Sequence, residues 1–424
     1  MDIRLSYGKE GLDVTLPSEL TTVVSPEFIP ALPDQQGAIK YALRNPIDRS
    51  ALKASVKSGG KVAISICDVT RPMPSHIVLP VILSELAHIP DKDITILVAT
   101  GTHRPVTNQE LLSMLGNEIV SRDFQIVNHD AFNENALNLI GKTSNGIDVY
   151  LNNIWDESDF RITAGFVEPH FFAGFSGGPK MIAPGLAGFK TIMPLHNAEM
   201  IKHPKSIWGV TKGNPIHDAI REISRMSPAD FSLDVTINKN RDITSVYAGD
   251  MPKAHIAACQ FAKQTAMQEV PHKYDVVITT NSGYPLDMNL YQSVKGMSAA
   301  HQIIRNGGIM ICATECSDGL PNVGRYKEIL RSAESPTKLL EMINNPKYNQ
   351  HDQWQVQIQA QIQQTSDIYI KSDYLSKSEI RDAHLKSIDD ITDFVDTLVQ
   401  DSKVPLRICV LPEGPQTIPY VQQL

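Results

Sequence analysis

Residues 61–72 read KVAISICDVTRP, a largely apolar run from Val62 to Cys67 closed by Asp68, Thr70, Arg71 and Pro72. Polar and apolar residues do not alternate through it, which suits a parallel strand covered on both faces. A helical pattern follows from Ser75 to Leu86. A second such run, Ile94 to Thr100, then ends in Thr100-Gly-Thr-His103-Arg-Pro. Strand, helix and strand in this order are the signature of a doubly wound α/β sheet. Open sheets of this class bind ligands beyond the carboxyl ends of their strands. Asp68, Arg71 and His103 therefore stand where a ligand would be met.

A third strand-like run, Phe160 to Gly165, leads into GFVEPHFFAGFSGGPKMIAPGLAGFKTIMPLH (165–196). Gly174, Gly177 and Gly178 can take positive φ, and successive amides in such a loop can form an anion-binding nest. Lys180 adds a full charge beside it, and His170 and His196 flank the loop. From Gly174 to Lys180 the spacing is that of a phosphate-binding P-loop. Pro179, however, stands where the last glycine belongs, and Met181 replaces the hydroxyl that would bind magnesium. This disfavours a magnesium-nucleotide hydrolase and leaves open a phosphate held by amides and Lys180.

Outward from these stretches, IRLSYGKEGLDVTL reads as a hairpin. Helical patterns lie at 35–43, 50–57, 190–201, 216–226 and 254–267. A second hairpin joins FSLDVTINK to ITSVYAG. The polar stretch from Gln268 to Tyr274 reads as a linker, after which strand–helix alternation restarts. The expectation is two α/β domains, each with a largely parallel sheet flanked by helices. Residues 1–270 carry the glycine loop, residues 271–424 form the smaller domain, and the site lies at their interface. In the second domain Gln292 and Lys295 share one helix face beside Tyr291, and Trp354 heads a glutamine-rich helix.

A charged fraction of 20% with 42% hydrophobic residues is that of an ordinary globular protein. The net charge of −8 argues against nucleic acid as a partner. No apolar run is long enough to span a membrane, and the N-terminus is no signal peptide. Five scattered cysteines fit a reduced, cytoplasmic setting; Cys312 and Cys316 read as buried thiols. No Cys-x-x-Cys pair or Gly-x-Ser-x-Gly elbow is present.

Several motifs belong together: Asp68-x-Thr-Arg-Pro-x-Pro-Ser-His, Ala99-Thr-Gly-x-His-Arg-Pro and His170-Phe-Phe-Ala-Gly-Phe-Ser-Gly-Gly-x-Lys. With them go Lys190-Thr-Ile-Met-x-x-His, Gly283-Tyr-Pro-Leu-Asp and Tyr291-Gln-x-Val-Lys-Gly-Met. This set resembles the nickel-dependent lactate racemase family over nearly the whole chain. The resemblance implies a racemase or epimerase that inverts C2 of a 2-hydroxy acid. Its cofactor would be nickel(II) in a nickel-pincer nucleotide, of the pyridinium-3,5-bisthiocarboxylic acid mononucleotide type. His196 would be the protein ligand to nickel, with Lys180, Asp68, Val69, Thr70 and Arg71 around the cofactor. His103 and His170 would be the acid/base pair. Arg71, Gln292 and Lys295 would hold the substrate carboxylate, with Tyr291 and Trp354 closing the pocket.

The implied route has a base take the hydroxyl proton while hydride leaves Cα; hydride then returns to the other face of the keto acid. The implied partners are a small 2-hydroxy carboxylate and, transiently, the proteins that make the cofactor. Family members carry a basic residue before the lysine, whereas this chain has Pro179. A covalent bond at Lys180 and the identity of the acid therefore stay open. Two other readings compete: a nickel-nucleotide carrier without catalysis, and a phosphate-binding phosphotransferase.

Overall fold

The computed structural model describes residues 1–321 and 324–421, which divide into two compact units. One comprises Phe28–His196 and Lys205–Lys263; the other comprises Met1–Glu27, Asn197–Pro204 and Gln264–Leu424. Both are α/β, each built on a largely parallel sheet with helices against it.

In the first unit the strands are β1 (Val62–Cys67), β2 (Ile94–Ala99), β3 (Gln125–Asn128), β4 (Phe160–Phe166), β5 (Phe231–Ile237) and β6 (Ile243–Gly249). Their order is β6-β5-β4-β1-β2-β3, parallel except for β6. All of β1 is buried, as its unbroken apolar run requires. Ile64, Ile96, Ile162 and Leu233 share one core with Leu43 and Ile82 of the covering helices. From β1 the chain steps one way to β2 and β3; from β4 it steps the other way to β5 and β6. The crevice beyond the carboxyl ends of β1 and β4 is thus a topological switch point. Asp68 follows β1 directly, and His170 follows β4 by four residues.

Three helices matter to the site: α1 (Phe189–Leu195), α2 (Pro215–Met226) and α3 (Met251–Ala266). Where the sequence reads one helix over 190–201, the structure breaks it at His196. Asn197 adopts an extended backbone, and its side chain accepts the Met200 N–H at 2.8 Å, capping a new turn at Ala198–Ile201. Asparagine satisfies orphan amides at a cap better than it serves a helix interior, so the first helix stops before it. His196 is left as the C-terminal cap of α1.

The second unit holds β7 (Tyr274–Thr280), β8 (Ile304–Ala313), β9 (Ser366–Lys371), β10 (Lys386–Ser387) and β11 (Ile408–Leu411). With Thr21–Val23 they form an all-parallel sheet in the order β10-β9-β8-β7-β11-Thr21–Val23. The expected N-terminal hairpin, Asp2–Leu5 with Leu12–Thr15, forms. Its Ile3, Leu5 and Val14 join the core of β7 and β11. A single boundary at 270 therefore does not divide the contacts, because residues 1–27 complete the second unit rather than the first. The stretch expected as linker contains a strand, Met267–Val270, parallel to Ile418–Val421. Such pairing with a distant segment leaves no local mark in a short polar stretch.

Helix α4 (Leu290–His301) and helix α5 (Gln353–Gln363) follow the same logic. Gln357 and Gln359 of α5 are fully buried, yet their amides donate to the carbonyls of Ala198 and Ala383, each at 2.8 Å. A glutamine-rich helix can lie in a core when carbonyls receive its donors. Among the described residues no helix is long and apolar enough to cross a membrane. All five cysteines are buried thiols.

Helix α4 lies so close to β7 that a Cβ on Gly296 would stand 2.0 Å from the Thr280 carbonyl oxygen. Backbone cannot rotate aside, so Gly296→Ala is expected to cost about 2–3 kcal/mol, read from denaturant unfolding. A loss below about 0.5 kcal/mol, the level of an ordinary surface change, would contradict that close packing.

Candidate active site

At the end of β1 the chain turns at once. The Arg71 N–H donates to the Asp68 carbonyl at 3.2 Å. Thr70 donates twice to Asp68 Oδ1, from its N–H at 3.2 Å and from its hydroxyl at 2.7 Å. The other carboxylate oxygen, Oδ2, lies 2.7 Å from His103 Nδ1. A turn over Thr100–His103, closed at 2.9 Å and passing through Gly101 at φ +56°, brings that imidazole across from β2. Asp68 is 4% exposed and His103 51%, so the carboxylate is a buried base for a ring that reaches outward. Burial alone would raise the Asp68 carboxyl; the bond and charge of His103, with Thr70 and Arg71, hold it below its ordinary value. A carboxylate only accepts, so Nδ1 of His103 carries the hydrogen and Nε2 the lone pair. Val69 and Thr70 lie exposed on the turn and Arg71 is partly buried.

Beyond β4, Pro169–His170 pairs with Gly174–Phe175 in a minimal hairpin. His170 Nδ1 accepts the Ala173 N–H at 3.3 Å, which leaves the ring hydrogen of neutral His170 on Nε2. Phe172, 5% exposed, is the hub of this region. Its ring meets the His170 ring edge-on at 4.6 Å and the His196 ring edge-on at 5.3 Å, and Lys180 Nζ lies 5.8 Å from its centroid. Three residues expected at the cofactor or substrate thus gather around one buried ring that sequence reasoning passed over. Its only trace was an aromatic pair between a histidine and a glycine loop. His196 Nδ1 donates to the Ile192 carbonyl at 2.8 Å, which sets the tautomer with its lone pair on Nε2.

Met181 ties this loop to the end of β1. Its carbonyl accepts the Ser65 hydroxyl at 2.9 Å, and its sulfur lies 3.7 Å from Cys67 Sγ. A further bond, Gly101 N–H to the Gly185 carbonyl at 3.0 Å, joins the His103 turn to the same segment. The Asp68–His103 pair and the glycine loop therefore share one edge of the sheet.

The glycines take positive φ as expected: 81° at Gly174, 72° at Gly177 and 47° at Gly178. Their amides do not form an open nest, which corrects the sequence reading. The Gly178 N–H donates at 3.0 Å to Asp234 Oδ1, a buried carboxylate on β5. The amides of Phe175, Ser176 and Lys180 go to the carbonyls of Ala173, Glu168 and Gly177. Four of the loop's amides are thus spent on the protein itself, which removes the basis for a phosphate cradle.

Tyr291, Gln292, Lys295 and Trp354 belong to the second unit and cluster there. Asn289 caps α4 by accepting the Gln292 N–H at 3.1 Å, and Lys295 Nζ donates to Gln292 Oε1 at 2.8 Å. Burial, then the charge of Asp352, pushes the Tyr291 hydroxyl up, so it stays a neutral phenol. Its ring meets Tyr326 edge-on at 5.4 Å. Gln355 of α5 donates to the Tyr291 carbonyl. One residue before it, Trp354 is 7% exposed and edge-on to His351 at 5.1 Å.

Residues 7–209 match the profile of the lactate racemase N-terminal domain, and residues 270–418 match that of the lactate racemase C-terminal domain. The lactate racemase of Lactiplantibacillus plantarum is 35% identical over 384 residues, 90% of each chain. That of Thermoanaerobacterium thermosaccharolyticum is 33% identical over 425 residues, 98% of this chain and 99% of the relative. The solved structure of the lactate racemase apoprotein from T. thermosaccharolyticum superposes with a TM-score of 0.91, at 33% identity and full coverage of both chains. A crystal structure from Thermotoga maritima, 19% identical, shares the fold at a TM-score of 0.70 over 93% of this chain and all of its own. On both domains and near full length, the chain belongs to the lactate racemase family.

Proposed function

We propose that this protein is a racemase that inverts C2 of lactate or a closely related 2-hydroxy acid, with a nickel-pincer nucleotide as cofactor. The observation that carries the reading is the opposite setting of two imidazoles near the switch point. His103 turns a lone pair outward on Nε2 because Asp68 holds its Nδ1–H. His170 has its hydrogen on Nε2 because its Nδ1 accepts from Ala173. Inverting a carbinol carbon requires one group that takes the hydroxyl proton and another that handles the same oxygen from the other side. Imidazole is the side chain suited to giving or taking a proton near neutrality.

The residues fit the cofactor. Among the described residues no three His, Cys, Asp or Glu side chains converge as metal ligands. A metal here therefore needs a group that brings most of its own donors. His196 offers the Nε2 lone pair, since its Nδ1–H donates to the Ile192 carbonyl, as the far nitrogen of a metal-ligating histidine commonly does. Lys180, 5.8 Å from the Phe172 ring centroid, supplies a cation for the nucleotide's negative charge, and the turn from Asp68 to Arg71 lines the same edge. When bound, the nickel-pincer nucleotide would supply the acceptor for hydride from Cα.

The chain's own residues do the rest. His103 takes the hydroxyl proton of one enantiomer on Nε2, and Asp68 stabilises the imidazolium that forms. His170 hydrogen-bonds the substrate oxygen through its Nε2–H, and in its imidazolium form it gives that proton to the oxygen on the return step and is left as the neutral ring. For the opposite enantiomer the two rings exchange roles after re-equilibrating protons with water. Arg71 holds the substrate carboxylate by charge-assisted bonds. Within the second unit, Lys295 and Gln292 form a cationic and polar pair of the kind that binds a carboxylate, and Tyr291 and Trp354 offer apolar walls with polar edges. A carrier that only stored the nucleotide would need Lys180 and His196 but not the Asp68–His103 pair.

Loading the protein with cofactor and assaying single enantiomers of lactate, malate, 2-hydroxyglutarate, phenyllactate and gluconate for optical inversion tests the activity. Turnover of none of them would overturn the reading. His196→Ala is expected to abolish nickel retention, while His103→Ala and His170→Ala keep the metal and lose about 10²–10⁴-fold in kcat. Equal nickel content in all three would refute the ligand assignment. Asp68→Asn should keep the metal and lower kcat by about 10²-fold or more, since the amide favours the wrong His103 tautomer. A variant as fast as wild type would mean the pair has no part in proton transfer.

A further inference from the structure

The glycine loop rests on a layer of buried polar side chains that none of the steps above uses. Asn214 Nδ2 donates to the Phe172 carbonyl at 2.9 Å, His217 Nδ1 to the Ala173 carbonyl at 3.0 Å, and His255 Nε2 to the Ser176 carbonyl at 2.8 Å. Asp234 Oδ1 accepts the Gly178 N–H at 3.0 Å. None of the four is more than 3% exposed. They come from the N-cap of α2, from α2, from α3 and from β5, so separate elements converge on seven consecutive residues. The rings of His217 and His255 stack at 5.7 Å, 13° from parallel.

The loop's composition answers to this layer. A Cβ on Gly165, Asp234's neighbour across the sheet, would stand 2.5 Å from Asp234 Oδ1, and one on Gly177 would stand 2.9 Å from it. On Gly178 it would meet the His255 ring at 2.4 Å. Gly177 and Gly178 are therefore required by contact as well as by φ, and Gly165 by contact alone. An aspartate inside a parallel strand is a poor strand former and a costly group to bury. A fold needing only a turn here would keep neither a carboxylate nor two histidines beneath it. Burial holds His217 near a pKa of about 3 and lowers His255, so both rings are neutral donors rather than cations beside Lys180.

We propose that Asp234, His255, His217 and Asn214 are positioning residues that clamp segment 172–178, fixing His170 at one end relative to Lys180 at the other. The proposal rests on the reading that His170 and Lys180 act in the site, but the clamp can be tested without cofactor. Loosening it should affect kcat more than substrate binding, because the segment carries the hub Phe172 and borders the acid/base residue His170.

The experiment is hydrogen exchange by mass spectrometry on the apoprotein, followed by kinetics on the nickel-loaded protein. Asp234→Ala, which strands the Gly178 N–H, should speed exchange in peptides spanning 172–181 by about tenfold, the worth of one buried hydrogen bond. Peptides of β1 and β2 should be unchanged. Asp234→Asn keeps an acceptor oxygen and should restore wild-type exchange. In the loaded protein Asp234→Ala should lower kcat with KM nearly unchanged, and Asp234→Asn should recover most of it. Should Asp234→Ala not fold, His255→Leu against His255→Gln, which keeps a donor for the Ser176 carbonyl, makes the same comparison. Unchanged loop exchange in the alanine or leucine variant would overturn the clamp. So would exchange raised equally throughout the chain, an asparagine or glutamine variant no better than its partner, or a loosened loop with wild-type kcat. A wild-type protein that never racemises would sink the proposed activity, and the exchange comparison alone would then decide the clamp.

Discussion

The Asp234 carboxylate, sunk in the middle of a sheet and answered by the Gly178 amide, is the constraint around which the first unit is arranged. It leaves no room for a Cβ at Gly177 and takes the Gly178 amide, while the neighbouring amides go to backbone carbonyls of the same region. With those amides committed to the protein, what the loop presents is side chains: His170, Phe172 and Lys180. A loop resembling a phosphate cradle in sequence is therefore, in three dimensions, a rigid bracket. The same local pattern can serve either end, and the residue that decides between them lies on a strand more than fifty residues away.

Around that bracket, imidazole tautomers are assigned by single backbone or carboxylate partners. Asp68 sets His103, Ala173 sets His170, and Ile192 sets His196. Each partner is an obligate donor or acceptor, so which nitrogen carries the hydrogen in the neutral ring follows from the fold. The arrangement gives two Nε2 lone pairs and one Nε2–H from three chemically identical side chains. Breaking a helix at Asn197 to expose His196 belongs to the same economy of means, since a histidine inside a continuous helix would have lacked that cap geometry.

Much of this was legible in the sequence. Unbroken apolar runs gave the parallel strands of both units, and the residues ending them, Asp68 and His103, lie at the strand ends where they were expected. What escaped were pairings between distant segments. Nothing near Thr21 announces a partner at Ile408, so the grouping of residues 1–27 with the second unit left no local mark in the sequence. The contact of His103 with Asp68 spans neighbouring strands and could have been suspected only from their common position at carboxyl ends. Phe172 was hidden for a different reason. An aromatic side chain in an apolar stretch reads as core, and only geometry shows that its ring faces two histidines and a lysine. Asn214, His217, Asp234 and His255 are scattered singly over α2, β5 and α3, and no local pattern marks them as one layer.

The measurement that bears most directly on the proposed chemistry follows the hydrogen on Cα. Nickel-loaded protein acting on one enantiomer of lactate in deuterium oxide should yield inverted acid that keeps protium at Cα, because a hydride moved within the site does not exchange with water. Protons carried by His103 and His170 do exchange. Deuterium at Cα in the product of the first turnover would place that hydrogen on an imidazole and contradict hydride transfer.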